Sequence, residues 1–451
     1  MSLITSDQFR IIIGVGQTGQ SIARYFASRG LPFAACDTRL EGAALDLFRS
    51  EFPEVELKTG PLDNAWLSQA TELVISPGVA KDQPAIRSAQ DAGARLIGDI
   101  DLFAREVKAP IVAITGSNGK STVTTLVGQM ANDAGIQCEI GGNIGIPVLD
   151  LLAKPEAQLY VLELSSFQLE TTQDLRPSAA TVLNLSADHM DRYQGMADYH
   201  QAKQRVYRHC STAVVNRDDP LTRPLVPSTT TVVTFGLSAP DLKQYGILER
   251  DGGRYLALGA KPLMPVSEMK MRGTHNEANA LAALAIGASQ GFDLDSMLST
   301  LRNFAGLEHR CQWVAETEGV AWFNDSKGTN LGATLAAVQG LGETLVDDAK
   351  LILIAGGQAK GQQFGELKAA TDRYLRSLIL IGEDANLLAN DLAFENTLFA
   401  ESITDAVRVA NEQACAGDLV LLSPACASFD MFKGFEDRGR QYVAAVSEVA
   451  K

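Results

Sequence analysis

Residues 113–122 read AITGSNGKST, and the fold turns on how they are understood. Gly119-Lys120-Ser121 is the end of a phosphate-binding loop. The Walker A pattern G-x-x-x-x-G-K-[ST] needs its first glycine at position 114, where Ile114 stands; Gly116 comes two residues too late. The surroundings are nevertheless those of a phosphate loop. The apolar run PIVAI (110–114) reads as a strand and STVTTLVGQMANDAG (121–135) as a helix. Gly116, Ser117, Asn118 and Gly119 can turn backbone N–H groups toward phosphate. Lys120 can reach the β/γ-phosphates, and the Ser121 and Thr122 hydroxyls suit Mg²⁺ or a phosphate oxygen. A bare G-K-[ST] is common, so the rest of the chain decides.

Outward from this loop, short β-branched runs alternate with helical patterns: RIIIGVG (10–16), LVISPG (73–78), LYVLELS (159–165), AATVLNLS (179–186) and STAVVN (211–216). Such runs are typical of buried parallel strands. Most end in Gly, Ser, Asn or Asp, at the edge where an open α/β sheet holds its ligands. The fold class is α/β. A length of 451 residues suggests three domains at about 150 residues each. We expect them at 1–98, 99–306 and 307–451. The tail of the second, about 211–270, is richer in proline and threonine and carries strand-like pieces such as TTTVVTFG (229–236). The third restarts after LRNFAGLEHR with VAWFNDS, LILIAGG, SLILIG and DLVLLSP.

The chain is 46% apolar and 21% charged, with a formal net charge of -15. An acidic surface argues against nucleic acid or an anionic membrane as a main partner. The start, MSLITSDQFR, lacks the basic n-region and apolar stretch of a signal peptide. No run approaches the roughly 18 apolar residues of a membrane span. Six scattered cysteines without a C-x-x-C pair read as reduced thiols, so the expected compartment is the cytoplasm.

Gly14-x-Gly16-x-x-Gly19 follows a strand and opens a helix, and Asp37 stands 18 residues after Gly19 at the end of the next strand. This is the dinucleotide fingerprint in its proper setting, although any nucleoside diphosphate can use that geometry. In LELSSFQLE, Glu163 ends a buried strand, where a carboxylate is costly unless it is paired or meets a cation such as Mg²⁺. In LNLSADHMDRY, His189 follows another strand end. A lone histidine is more often structural, but this one falls at the same sheet edge as Lys120 and Glu163. Lys203 in YHQAKQRVY reads by itself as a solvated helix lysine. Asn276 and Asn279 in GTHNEANALAA share a helix face, either capping it or bonding a base or phosphate. In the third segment FNDSKGTN, LIAGGQAKGQQF and LLSPACASFDMFKGFEDRG supply Asp325, Lys327, Thr329, Lys360, Ser428, Phe429 and Phe435. With Arg310, they suggest a second ligand-binding edge for carboxylate or phosphate.

In order and spacing, TGSNGKST, ELSSFQLE, DHMDRY, HNEANALAA, HR, NDSKGTN and SPACASFDMFKGFEDRG resemble the Mur ligase family over nearly the whole chain. The likeness is closest to its D-glutamate-adding members. It implies a Rossmann-like N-terminal domain for a UDP-linked substrate, a central ATPase domain with a shortened P-loop, and a Rossmann-like C-terminal domain binding D-glutamate. ATP would phosphorylate the alanyl carboxylate of a UDP-muramoyl substrate, and the D-glutamate amine would attack the acyl phosphate. Lys120, Ser121 and Thr122 would meet the phosphates. Ser121, Glu163, His189 and Lys203 would serve two Mg²⁺ ions, Lys203 as a carbamate. Asn276, Asn279, His309, Arg310 and Asp325 would hold the adenine nucleotide. Gly14, Gly16, Thr18, Asp37, Thr38, Arg39, Ser76, Pro77, Gly78 and Asn143 would contact the UDP substrate. Thr329, Lys360, Ser428, Phe429 and Phe435 would surround D-glutamate. The family often has leucine where Phe429 stands. The resemblance also implies a cytoplasmic monomer.

Other readings cover less. An NAD-dependent oxidoreductase explains only the first segment, and a P-loop switch protein only the second. A folylpolyglutamate-type ligase needs neither GVGQTG nor SPACASFD. A diaminopimelate-adding ligase carries a D-N-P-R motif, which this sequence lacks. A noncatalytic relative is disfavoured because every carried-over position keeps its chemistry.

Overall fold

Residues 9–190 and 192–449 are described in the structure, a computed structural model. Its first sheet grows from Arg10–Ile13 (β1), four residues that are all buried. Phe33–Asp37 (β2), Leu57–Thr59 (β3), Glu72–Ile75 (β4) and Arg95–Ile97 (β5) join it in the order β3-β2-β1-β4-β5. Every pair is parallel. Parallel neighbours need crossovers, and helices such as Gln17–Ser28 and Pro84–Asp91 supply them. The strand order reverses between β1 and β4, so the loops after these strands flank a switch point. Those loops are the glycine fingerprint and Ser76-Pro77-Gly78.

The second sheet repeats the logic. Ile111–Thr115 (β6), Cys138–Gly142 (β7), Leu159–Glu163 (β8), Ala179–Val182 (β9) and Thr212–Asn216 (β10) lie parallel in the order β10-β9-β6-β8-β7. Register decides what meets at the upper edge: Ile114 pairs with Glu163, and Glu163 with Gly142. The phosphate loop, the strand-end carboxylate and the Gly-Gly-Asn turn therefore arrive together.

The first sheet and these five strands of the second belong to one compact unit, which runs up to Leu185 and includes His189–Thr234 and Ala283–Met297. One apolar core runs through it, from Ile12, Ile22 and Phe26 to Ile100, Phe103, Tyr160 and Leu162. Phe103 meets Tyr160 edge-on at 5.1 Å. Arg24 grips Asp150 with two bonds of 3.1 and 2.7 Å.

The second unit comprises Ser186–Asp188, Phe235–Ala282 and the chain from Leu298. The strand Thr231–Phe235 (β11) contains the passage from one unit to the other. Tyr245–Arg250 (β12), Gly253–Leu258 (β13) and Lys261–Pro265 (β14) form an antiparallel meander. The third sheet contains Gln312–Thr317 (β15), Val320–Asn324 (β16), Leu351–Gly356 (β17), Leu375–Ile381 (β18), Thr397–Phe399 (β19) and Leu419–Leu422 (β20). Their order is β15-β16-β20-β17-β18-β19, parallel except for the edge strand β15. The loops after β16, β17 and β20 share one edge. Among the described residues no helix is long and apolar enough to cross a membrane.

Candidate active site

β6 hands over to the helix Lys120–Asp133 through a four-residue turn, Gly116–Gly119. Gly119 caps the helix at φ +80°, a left-handed conformation that favours glycine. Asn184, just past β9, shapes the turn. Its carbonyl accepts from Ser117 N at 2.9 Å. Its Oδ1 accepts from Asn118 N at 2.8 Å and its Nδ2 donates to Asn118 O at 3.0 Å. The N–H groups of Ser117 and Asn118 thus bond Asn184 and hold the loop in shape. Asn184 was not among the sequence candidates; an asparagine at a strand end was its only signal.

Glu163 is only 2% exposed. Ser121 Oγ donates to its Oε2 at 2.6 Å, and Asn143 Nδ2 to its Oε1 at 2.8 Å. Asn143 N also donates to the Glu163 carbonyl at 2.8 Å. That approach requires Gly142, because a Cβ there would fall 2.3 Å from the same carbonyl oxygen. Lys120 Nζ bends over the loop and donates to Gly116 O at 2.9 Å and Ser117 O at 2.8 Å. Lys203, far from solvated, is buried. Its Nζ also donates to Gly116 O, at 2.9 Å, and lies 4.8 Å from the Tyr199 ring centre. Tyr199 OH in turn bonds Ser117 Oγ at 3.1 Å. Ser117 and Thr122 are buried beside them.

His189 has φ +56° and is exposed, its ring 4.9 Å from that of Phe167. Phe167 belongs to the helix Ser166–Thr171, which starts three residues after Glu163. Arg192 stacks on Phe167 at 4.8 Å and donates to Val79 O at 3.2 Å, in the loop after β4. Among the described residues, no three His, Cys, Asp or Glu side chains converge to form a metal cage. Glu163 and Ser121 still offer hard oxygens beside a phosphate loop. That fits Mg²⁺, which takes few protein ligands and completes its shell with phosphate and water.

At the first sheet, Gly14 has φ +89°, and a Cβ on Gly19 would lie 1.9 Å from Gly14 O. Ser76 Oγ donates to that carbonyl at 2.6 Å. Asp37 is buried and accepts from Val15 N at 2.9 Å. It also accepts from Arg39, through N at 2.9 Å, Nε at 2.8 Å and Nη2 at 2.6 Å. Burial pushes its pKa up, but the bonds from Arg39 and Val15 outweigh this and hold it below the usual value. Thr18 lies in the first turn of the helix Gln17–Ser28, Thr38 is exposed beside Asp37, and Gly16, Pro77 and Gly78 line the two loops.

In the second unit Asn279 Nδ2 donates to Asn276 Oδ1 at 3.1 Å, and Asn276 Nδ2 to Arg272 O at 2.8 Å. Both lie inside the first turns of the helix Thr274–Ser289, so neither is its N-cap. His309, at φ +63°, shares a 2.9 Å bond between Nδ1 and Asn324 Nδ2. Arg310 beside it is half-buried. Asp325 accepts from Ser423 Oγ at 2.7 Å and Cys311 N at 3.1 Å. Burial, opposed by these bonds, pushes its pKa up to about 7. Lys327 Nζ lies 3.9 Å from the Phe435 ring centre, and Lys360 Nζ 5.6 Å from that of Phe429. Thr329 N donates to Lys327 O at 2.8 Å. Ser428 is buried, whereas Phe429 is 66% exposed. Arg438, also missed in the sequence, is fully buried and donates to Ser326 and Cys426 O.

A phosphate loop whose helix serine holds a buried strand-end carboxylate, next to a dinucleotide-type turn, defines an α/β protein of the nucleotide-dependent class. The family model for the N-terminal domain of MurD-like Mur ligases matches residues 8–98. The Mur ligase middle domain matches 114–287, and the Mur ligase glutamate ligase domain 309–426. The chain is 54% identical, over the full length of both, to the UDP-N-acetylmuramoylalanine–D-glutamate ligase of Pseudomonas aeruginosa. It is 50% identical to the enzyme of the same name from Hahella chejuensis over 98% of each chain. The chain therefore belongs to the Mur ligase family. Among solved structures, MurF of Thermotoga maritima with ADP shares the fold at TM-score 0.62, with 16% identity and full coverage of both chains. MurF from Acinetobacter baumannii does so at 0.61, with 15% identity over 96% of this chain and 93% of its own.

Proposed function

We propose that this chain is an ATP-dependent ligase that joins D-glutamate to UDP-N-acetylmuramoyl-L-alanine during peptidoglycan precursor synthesis. The curated relatives carry this activity in their names, at about half the residues identical from end to end. The observation that carries the proposal is Glu163. One carboxylate oxygen bonds Ser121 of the phosphate loop and the other bonds Asn143 of the neighbouring turn, so phosphate end and acceptor end meet at one acid.

In this reading Gly116, Ser117, Asn118, Gly119, Lys120, Ser121 and Thr122 receive the ATP phosphates. Glu163 and Ser121, with His189 and a carbamylated Lys203, would hold two Mg²⁺ ions, whose bound charge neutralises the phosphates. Lys120 supplies a fixed cation where charge develops on the transferring phosphoryl group. The alanyl carboxylate oxygen attacks the γ-phosphorus, and ADP leaves. The neutral D-glutamate amine then attacks the acyl carbon. The tetrahedral adduct expels phosphate and loses a proton, leaving an amide.

The UDP portion is assigned to Gly14, Gly16, Thr18, Asp37, Thr38, Arg39, Ser76, Pro77 and Gly78. Asn143 is assigned to the sugar-peptide end. Asn276, Asn279, His309, Arg310 and Asp325 are assigned to the nucleotide; Thr329, Lys360, Ser428, Phe429 and Phe435 to D-glutamate. Domain divisions at 98/99 and 306/307, a cytoplasmic location and a monomeric state complete the reading. The free cysteines agree with a reducing compartment.

The deciding assay offers the purified chain UDP-muramoyl-alanine, ATP, Mg²⁺ and single amino acids, and follows ADP release. Turnover with D-glutamate alone is expected. Equal turnover with L-lysine or diaminopimelate, or none with D-glutamate, overturns the proposal.

A further inference from the structure

The chain leaves the first sheet at Ile97, turns at Gly98 and enters the helix Asp99–Glu106 before reaching β6. Asp99, the first residue of that helix, is 2% exposed. A buried carboxylate at a connection between two sheets needs a reason. Its Oδ2 accepts from Gln168 Nε2 at 3.2 Å. Gln168 uses its other end on the turn that carries Glu163: its Oε1 accepts from Ser165 N at 3.1 Å and Ser165 Oγ at 3.3 Å. Ser165 Oγ accepts in return from Gln168 N at 3.2 Å, closing a capping box.

The chemistry of the amide gives this arrangement a direction. A side-chain amide has one accepting and one donating end, and either orientation has nearly the same shape. Ser165 N is a donor and needs the oxygen. An ionised Asp99 only accepts, so it draws the nitrogen toward itself and leaves the oxygen for Ser165. The helix that carries Gln168 is clamped to the same connection elsewhere. Asp101 Oδ1 accepts from Gln173 N at 2.9 Å and Asp174 N at 3.0 Å. At Gly98, a Cβ would lie 2.6 Å from Thr171 Oγ1.

We propose that Asp99 is a positioning residue for the reaction: through Gln168 it fixes the Ser165 turn, and with it the placement of Glu163 against Ser121 and Asn143. The proposal rests on reading Glu163 as an active-site carboxylate. Asp99 acts through Gln168, whose Nε2 it accepts from. It ties the connection leaving the UDP-binding sheet to the acid on the ATP-binding sheet.

The test compares Asp99→Leu, which cannot accept, with Asp99→Asn, which can. Two measurements are made on the full chain: hydrogen exchange of the segment 163–171 against a β1 control, and kcat and KM in the ADP-release assay. Asp99→Leu is expected to speed exchange at Ser165 and Gln168 and to lower kcat at least about tenfold, as a small misplacement near the chemistry does, with the KM values little changed. Asp99→Asn should stay near the parent in both. Should Asp99→Leu fail to accumulate, Asp99→Ala, which also cannot accept, carries the same expectation. Unchanged exchange and kcat, or equal damage from Leu and Asn, overturns the proposal. Glu163→Ala with near-normal turnover would instead remove the underlying site reading, while the exchange result still judges the Asp99 link.

Discussion

Ser121 Oγ lies 2.6 Å from Glu163 Oε2, a bond that crosses from the helix after β6 to the end of β8. It joins the residue after the phosphate-loop lysine to a carboxylate that is almost wholly buried. Glu163→Gln keeps the shape and an acceptor for Asn143 but removes the negative charge. Turnover should fall about 10²–10³-fold, the usual cost of losing one preorganised electrostatic group. The melting temperature should change little, since the amide can bond both neighbours. Near-normal ADP release would take Glu163 out of the site.

Lys120 and Lys203 donate to the same oxygen, that of Gly116, each at 2.9 Å. Two amines thus converge on one carbonyl, one of them buried. A carbamate on Lys203 would turn one member of this like-charged pair into an anion facing its partner. We therefore expect turnover to fall several-fold in CO₂-depleted buffer and to recover with bicarbonate. Lys203→Ala should be slow and indifferent to bicarbonate. Identical rates with and without CO₂ would exclude the carbamate.

The fingerprint glycines should differ sharply in tolerance. A Cβ on Gly19 would fall 1.9 Å from Gly14 O, whereas a Cβ on Gly16 meets nothing within 4 Å. Gly19→Ala must push the first helix off β1, so UDP-substrate binding should drop at least about tenfold and stability by a few kcal/mol. Gly16→Ala should fold normally and lose affinity only if the nucleotide needs the open space. Calorimetric titration with UDP-muramoyl-alanine separates the two; equal tolerance would show that close helix–strand packing is not what the third glycine serves.

These contrasts mark what was legible in the sequence. Gly14, Gly119 and Glu163 stood out because each breaks a local rule: a glycine where the turn is left-handed, or an acid at the end of an apolar strand. Asp99, Asn184 and Arg438 did not. Their roles arise from partners 69, 66 and 112 residues away, at Gln168, Asn118 and Ser326. An arginine in an amphipathic helix reads as solvated until the fold closes over it. Lys203 shows the same limit. Nothing in its own segment distinguishes it, and only the family likeness singled it out before the structure placed its amine at Gly116.

The protonation of Asp325 offers the last prediction. Burial raises its pKa from an ordinary 3.8 to about 7, against the bonds from Ser423 and Cys311 N. Because the folded value is the higher one, the folded chain holds the proton more tightly. The stability this contributes is complete below the unfolded pKa and is lost as pH rises through the folded one. Asp325→Asn mimics the protonated form at every pH. Its oxygen can still accept from Cys311 N, and its nitrogen can donate to Ser423 Oγ, which retains Thr334 Oγ1 at 3.0 Å. The variant should therefore melt several degrees above the parent at about pH 8, with the gap closing toward about pH 5. Buried His275, pushed down to about 4, also titrates as the pH falls, but it is common to both proteins and cancels in the difference. A gap that stays constant between those pH values would mean that Asp325 does not carry the proton.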